Sequence, residues 1–147
     1  MSKVKLLLHI VFNTLSRKTT ISEEHCDDLY RYIWHYFNEH KCVVYRINGV
    51  ENHVHILLDM HPTLSLSTLI GKLKHDSSMW MKASGFFPYF EGWGREYGAF
   101  SVSPTAKDNV VNYIIHQKEH HKRVNYEDEY RRLCEMSGVA FVDDDLT

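Results

Sequence analysis

Apolar positions along this chain recur in two periods, and the switches between them lay out strands and helices. Residues 4–12 are apolar and β-prone and predict a first strand, with a polar loop over 13–20. Ser22 stands before Glu23, Glu24 and a long amphipathic stretch, the pattern of a capped helix running to about residue 40. Residues 42–47 read as a strand ended by Asn48-Gly49, and residues 53–60 as its partner, so the two predict a hairpin with a longer loop.

Pro62 closes that strand. Over residues 65–82 the apolar positions Leu66, Leu69, Ile70, Leu73 and Trp80 fall at helical spacing. An aromatic, glycine-bearing loop over 85–94 leads to a strand at 97–102. Pro104 then opens a long last helix over 105–123, and the remainder predicts a short helix at 127–137. The order is β-α-β-β-α-β-α. Its first six elements predict an α+β, ferredoxin-like (RRM-like) fold: a four-stranded antiparallel sheet with its helices on one face. The C-terminal helix is an added element, free to carry catalytic groups.

Composition narrows the class. At 147 residues the chain has room for one compact domain, and 44% hydrophobic with 13% aromatic residues supplies a core. Cys26, Cys42 and Cys134 have no metal-knuckle or disulfide spacing and read as free thiols of a reducing cytoplasm. The apolar start is short, holds His9 and lacks a small-residue cleavage site, so it reads as a buried strand rather than a signal peptide or membrane span. The formal charge of −2 runs against the basic surplus of most nucleic-acid binders. The acidic run Asp143 to Asp145 puts some of that charge in a tail, which leaves room for a local basic face. The 11 histidines are the unusual count and direct attention to metal ligands.

Two constellations carry candidate chemistry. His53-Val54-His55 lies within the third strand, where alternation points both imidazoles to one face and Val54 to the other. Tyr113 and Gln117 stand four residues apart on the last helix and share a face. Two imidazoles and an amide oxygen can grip one divalent ion such as Mg2+ or Mn2+. The open positions of that ion would accept a phosphate oxygen for attack by the phenol. On spacing alone each pair also admits a plainer reading: a solvated histidine pair, a packing tyrosine, a surface glutamine. His116, His120 and His121 read as a solvated helix face. Asp76 has no spacing to the histidines that would make it catalytic.

Taken in order, these segments resemble the HUH single-tyrosine transposases (TnpA-type) of the smallest bacterial insertion sequences. His53-Val54-His55 resembles the HUH motif, and Tyr113 with Gln117 resembles the nucleophile and third metal ligand of that family. Tyr97-Gly98-Ala99-Phe100-Ser101-Val102-Ser103 resembles the strand before the tyrosine helix. Gln117-Lys118-Glu119-His120-His121-Lys122 resembles the stretch after the tyrosine, and Lys72-Leu73-Lys74-His75-Asp76-Ser77-Ser78 fits the second helix. The resemblance covers nearly the whole chain and implies one HUH transposase domain over residues 1–147.

It further implies a cytoplasmic homodimer, with no membrane association, that binds hairpins at insertion-sequence ends. Such enzymes cleave and rejoin single-stranded DNA through a 5′-phosphotyrosine, and their active sites can be shared between subunits. Arg17, Lys72 and Lys74 are the candidate DNA contacts.

The chain departs from the family pattern at Gly94 and Glu96, where Gln and Gly are expected, and after Thr14, where Leu15 replaces a Lys. Both departures touch DNA affinity or preference rather than the chemistry. The alternative reading is a catalytically inactive relative that binds hairpin DNA. An RRM would need aromatic residues on the third strand, which offers histidines instead. A metal-dependent hydrolase would leave Tyr113 without a role.

Overall fold

In the computed structural model residues 1–142 are described, so the acidic run Asp143 to Asp145 lies outside the described residues. The sheet has four antiparallel strands, β1 (Leu7–Asn13), β2 (Val43–Val50), β3 (His53–Asp59) and β4 (Gly98–Ser101), in the order β2-β3-β1-β4. This is the ferredoxin-like arrangement, with β1 and β3 in the middle. α1 (Cys26–Glu39) and α2 (Leu66–Ser84) carry the two crossovers. No helix among the described residues is long and apolar enough to cross a membrane.

The two central strands are buried on both faces, and side-chain alternation sorts their residues into two layers. Ile10 and Phe12 of β1, with Val54, Ile56 and Leu58 of β3, pack against Leu29, Ile33 and Phe37 of α1 and Leu69, Ile70 and Leu73 of α2. Each fully buried side chain of this size is worth roughly 1.5–3 kcal/mol, so this layer supplies most of the stability. The opposite layer holds Val11 and Phe100 of the sheet against Tyr126, Tyr130 and Cys134. The expected placement of the two crossover helices on one face holds for α1 and α2. The other face is covered by α3 (Lys107–Ile115), α4 (Gln117–His120) and α5 (Tyr126–Met136). All three cysteines are buried thiols.

The hairpin differs from the expected one. β2 continues through Asn48 and Gly49, which pair with His55 and Val54, and the turn falls at Glu51-Asn52. At Gly49 an added Cβ would collide with the carbonyl of His53, so glycine is required by close strand approach rather than by a turn. Ser22 begins a short 3-10 turn ahead of α1, and its hydroxyl donates to the carbonyl of Phe86 (2.9 Å) instead of capping a helix.

The last helix is broken. His116 takes φ −95° and ψ 20° between α3 and α4, and its Nδ1 turns back to the carbonyl of Asn112 at 2.7 Å. Asn48 Nδ2 donates to the carbonyls of Ile114 and Ile115 (3.0 and 3.1 Å). The amide that looked like a turn signal thus caps the carbonyls exposed by the break.

Candidate active site

β3 presents His53 and His55 on the face opposite the main core, as alternation requires, but neither is solvated: both are fully buried under α4 and α5. Tyr126 of α5 stacks on the His53 ring at 4.1 Å between centroids. Tyr113 of α3 sits edge-on to His55 (5.8 Å) and to His9 (6.0 Å). Gln117, the first residue of α4, is fully buried and places Oε1 3.2 Å from His53 Nε2. The break at His116 does not separate Tyr113 from Gln117, because both side chains meet at a third residue.

That residue is Glu129 of α5, which is 3% exposed. Its carboxylate accepts from the Tyr113 hydroxyl and from Gln117 Nε2 (2.9 Å). One of its oxygens lies 3.2 Å from His53 Nε2, 3.0 Å from His55 Nε2 and 2.9 Å from His121 Nε2. Burial acts to raise the Glu129 carboxyl, but the neighbouring imidazoles of His121, His53 and His55 more than reverse this and hold it well below the usual carboxylate range. It is therefore a buried anion. Burial, followed by the contact with Glu129, pushes the Tyr113 phenol well up, so Tyr113 rests as the neutral phenol.

The far sides of the two imidazoles are fixed as well. His53 Nδ1 donates to Asn52 Oδ1 (2.7 Å), and His55 Nδ1 lies 2.8 Å from His9 Nε2. Burial first, then the His55 charge, pushes His9 down to about 3, and burial pushes His53 down to about 4, so both are neutral near pH 7. A neutral His53 that spends its proton on Asn52 turns a bare lone pair toward Gln117 Oε1 and Glu129, neither of which brings a hydrogen. Acceptors converging on acceptors in a buried space are costly unless an electropositive centre lies among them. The donor chemistry therefore fits a divalent cation. His53, His55, His121 and Glu129 have ligand atoms all within 4.8 Å of one another.

The structure brings His53, His55, Tyr113 and Gln117 together within one chain. His121, which the helix pattern places on a solvated face, is instead drawn in, with its side chain 9% exposed against Glu129. Glu129 and His9 were not legible as site residues from spacing, though each left a signal. In α5 the buried positions are Tyr126, Glu129, Tyr130 and Cys134, so Glu129 is a charge on the apolar stripe of an amphipathic helix. His9 shares the face of Val11 and Asn13 in a strand with no other ionisable residue between Leu7 and Asn13.

The candidate DNA contacts take no part in this cluster. Arg17 pairs with Glu127 of α5 at 3.2 Å, which places it at the rim of the site. Lys72 pairs with Asp76 (3.0 Å) on α2, and α2 packs on the other face of the sheet. Lys74 does not offer a free ammonium: it is half-buried, pushed down to about 8 by burial, and donates to the carbonyls of Gly94 (2.9 Å) and Glu96 (2.7 Å).

Comparison with known proteins agrees with this architecture. A Deinococcus radiodurans R1 protein assigned as a transposase superposes with TM-score 0.63 at 21% identity, over 79% of this chain and 93% of that one. A REP-associated tyrosine transposase bound to a REP hairpin gives TM-score 0.63 at 14% identity, over 100% of this chain and 92% of that one. At these identities the likeness is one of fold. No curated protein matches this sequence. The family profile described as IS200-like transposase matches residues 2–117, which takes in all four strands, both crossover helices, the histidine pair, Tyr113 and Gln117, and the chain belongs to that family.

Proposed function

We propose that this chain is an HUH single-tyrosine transposase domain that cleaves and rejoins single-stranded DNA, with Tyr113 as nucleophile. The observation that carries the reading is the meeting of the Tyr113 hydroxyl with His53, His55 and Gln117 on one buried carboxylate. His53, His55 and Gln117 would hold a Mg2+ or Mn2+ ion, with Glu129 and His121 in reach of it. Such an ion would withdraw charge from a bound phosphate and stabilise the charge that builds during displacement.

The chain's own groups account for the remaining chemistry. The Tyr113 oxygen forms a bond to phosphorus and the bond to the 3′ oxygen breaks, which leaves a 5′-phosphotyrosine and a free 3′-OH. The phenolic proton passes through Glu129, the acceptor within hydrogen-bond reach, to the departing 3′ oxygen, which leaves as the 3′-OH. The covalent link keeps the phosphodiester energy, so the reverse attack by a 3′-OH rejoins the strand without ATP.

Hairpins in single-stranded DNA are the proposed substrate, which the hairpin bound by the REP-associated relative supports. Arg17 and Lys72 are proposed DNA contacts, and Lys74 acts there through the loop it holds. A cytoplasmic homodimer completes the reading, and light scattering at micromolar concentration that gave only monomer, with and without DNA, would refute that part.

The second reading, a hairpin-binding relative without cleavage, is favoured by one observation: Glu129 stands where a phosphate would approach Tyr113. One experiment separates the two. Wild-type protein incubated with hairpin-bearing oligonucleotides and Mn2+ is expected to give a covalent adduct on a denaturing gel, with Tyr113 in the DNA-linked peptide by mass spectrometry. Tyr113→Phe is expected to fold and bind the hairpin but give no adduct. Binding without any adduct from the wild type would support the second reading, and an adduct on another tyrosine would overturn the nucleophile.

A further inference from the structure

His121 and Glu129 lie outside the ligand set of His53, His55 and Gln117, and beyond residues 2–117 that the family profile matches. Both nevertheless reach the same point. Glu129 Oε1 is 3.2 Å from His53 Nε2, 3.0 Å from His55 Nε2 and 2.9 Å from His121 Nε2. The four ligand atoms all lie within 4.8 Å of one another. Ligand atoms about 2.0–2.1 Å from one tetrahedral ion stand about 3.3–3.4 Å apart. Three edges of such a tetrahedron, those meeting at Oε1, are therefore nearly in place.

The atoms behind the ligands are set as in a formed metal site. His53 Nδ1 is held by Asn52 Oδ1 (2.7 Å) and His55 Nδ1 by His9 Nε2 (2.8 Å), so both Nε2 atoms face inward. Glu129 divides its oxygens. Oε1 turns to the three imidazoles, while Oε2 accepts from Gln117 Nε2 (2.9 Å) and from the Tyr113 hydroxyl. Outer partners of this kind orient ligating groups and strengthen their hold on a metal.

Burial and ligand type then select the ion. His53 and His55 are fully buried, Glu129 is 3% exposed and the His121 side chain 9%. Mg2+ demands octahedral oxygen ligands and keeps several waters, which a buried set of three nitrogens and one carboxylate does not offer. Imidazoles suit borderline ions, and a tetrahedral set of His and carboxylate suits Zn2+ above all.

Resting on the reading of His53 and His55 as metal ligands, we propose that His53, His55, His121 and Glu129 form a closed four-ligand site that takes Zn2+ in preference to Mg2+ and Mn2+. The histidine pair thus belongs to two ligand sets. With Gln117 it makes an open one that leaves room for a phosphate, and with His121 and Glu129 a closed one that leaves none. Zn2+ on the closed set ties α5 to the histidine face of the sheet.

The full-length protein, stripped with chelator, is titrated with Zn2+ against a chromophoric chelator, and in parallel with Mn2+ and Mg2+. One Zn2+ is expected to bind at least about 100-fold more tightly than Mn2+ and to raise the melting temperature. X-ray absorption of the zinc-loaded wild type is expected to show four ligands at about 2.0–2.2 Å, three of them imidazoles. Co2+ in the same site is expected to give the intense visible bands of four-coordination. His121→Ala and Glu129→Gln are each expected to weaken Zn2+ binding at least about tenfold and to bleach the cobalt bands. Gln117→Ala, which keeps all four ligands, is expected to keep the bands.

Six ligands or only two imidazoles around zinc, or Zn2+ affinity unchanged in both His121→Ala and Glu129→Gln, would overturn the closed site. The X-ray absorption result stands on the wild type alone, so it decides even if a variant fails to fold. Mn2+ binding that depends on His53 and His55, with zinc indifferent to His121 and Glu129, defeats the closed set and leaves the open one. No binding of any of the three ions defeats the underlying metal reading as well.

Discussion

His9 touches neither the proposed ion nor the phosphate, yet the geometry makes it decide which nitrogen of His55 faces the site. For His55 to offer a lone pair at Nε2, its proton must sit on Nδ1, and the acceptor for that proton is His9 Nε2 at 2.8 Å. His9 is 4% exposed and pushed down to about 3 by burial, so it is neutral and able to accept. Replacing it by Phe keeps a ring of similar size against Phe100 and Tyr113, its neighbours at 6.3 and 6.0 Å. What is lost is the hydrogen bond.

Two consequences follow in magnitude. A buried Nδ1–H left without an acceptor costs about 1–3 kcal/mol of stability, and losing the partner that orients a ligating imidazole costs roughly 10–100-fold in metal affinity. The expected outcome for His9→Phe is therefore Mn2+ binding weakened by that factor in calorimetric titration, with the far-ultraviolet dichroism of the wild type. His9→Gln returns an acceptor oxygen to the same position and is expected to recover most of the loss. Mn2+ affinity within about twofold of wild type in His9→Phe, a change of less than ~0.4 kcal/mol, would refute the argument. Equal weakening in both variants would show that packing, not the tautomer, was at stake.

Other outcomes follow from the same cluster. In chelator, the folded protein keeps His9 and His53 neutral down to about pH 3 and 4, whereas the unfolded chain protonates them near 6.5. Their folded pKa values are lowered, so the unfolded state binds more protons between those limits. The stability they support is full above pH 6.5 and falls as the pH drops toward 4, by roughly 3 kcal/mol for each group. Urea midpoints that stay level from pH 7 to 4.5 would contradict this. Glu129→Ala is expected to weaken Mn2+ binding at least about tenfold by removing the one anion among the donors; tighter binding would instead mark Glu129 as an occupant that competes with the ion.

What could be read along the chain and what could not divide by sequence separation. Alternation within β3 places His53 and His55 on one face because that is a property of three consecutive residues. The four-residue spacing of Tyr113 and Gln117 is equally local, and it survives the break at His116 because α4 resumes within one residue. The break is met by Asn48, 66 residues before Ile114 in the chain, whose amide donates to the Ile114 carbonyl. Read locally, Asn48-Gly49 is a turn. In the fold the β2 pairing overrides that preference, and the turn passes to Glu51-Asn52. Glu129 was invisible for the same reason at greater range, since its partners His53 and His55 lie 76 and 74 residues away in the chain.

The fold still left a local trace of that contact. A carboxylate on the apolar stripe of α5, between Tyr126 and Tyr130, would cost several kcal/mol if it were buried against hydrocarbon. The helix can bury that stripe only where polar partners await the charge, and on this sheet they stand together: the hydroxyl of Tyr113 and Nε2 of Gln117 donate to it, and His53, His55 and His121 gather around the same carboxylate. The misplaced charge of α5 and the paired histidines of β3 are two halves of one requirement. Read together, they assign α5 to the histidine face of the sheet, the face that the expected one-sided helix layer had left open.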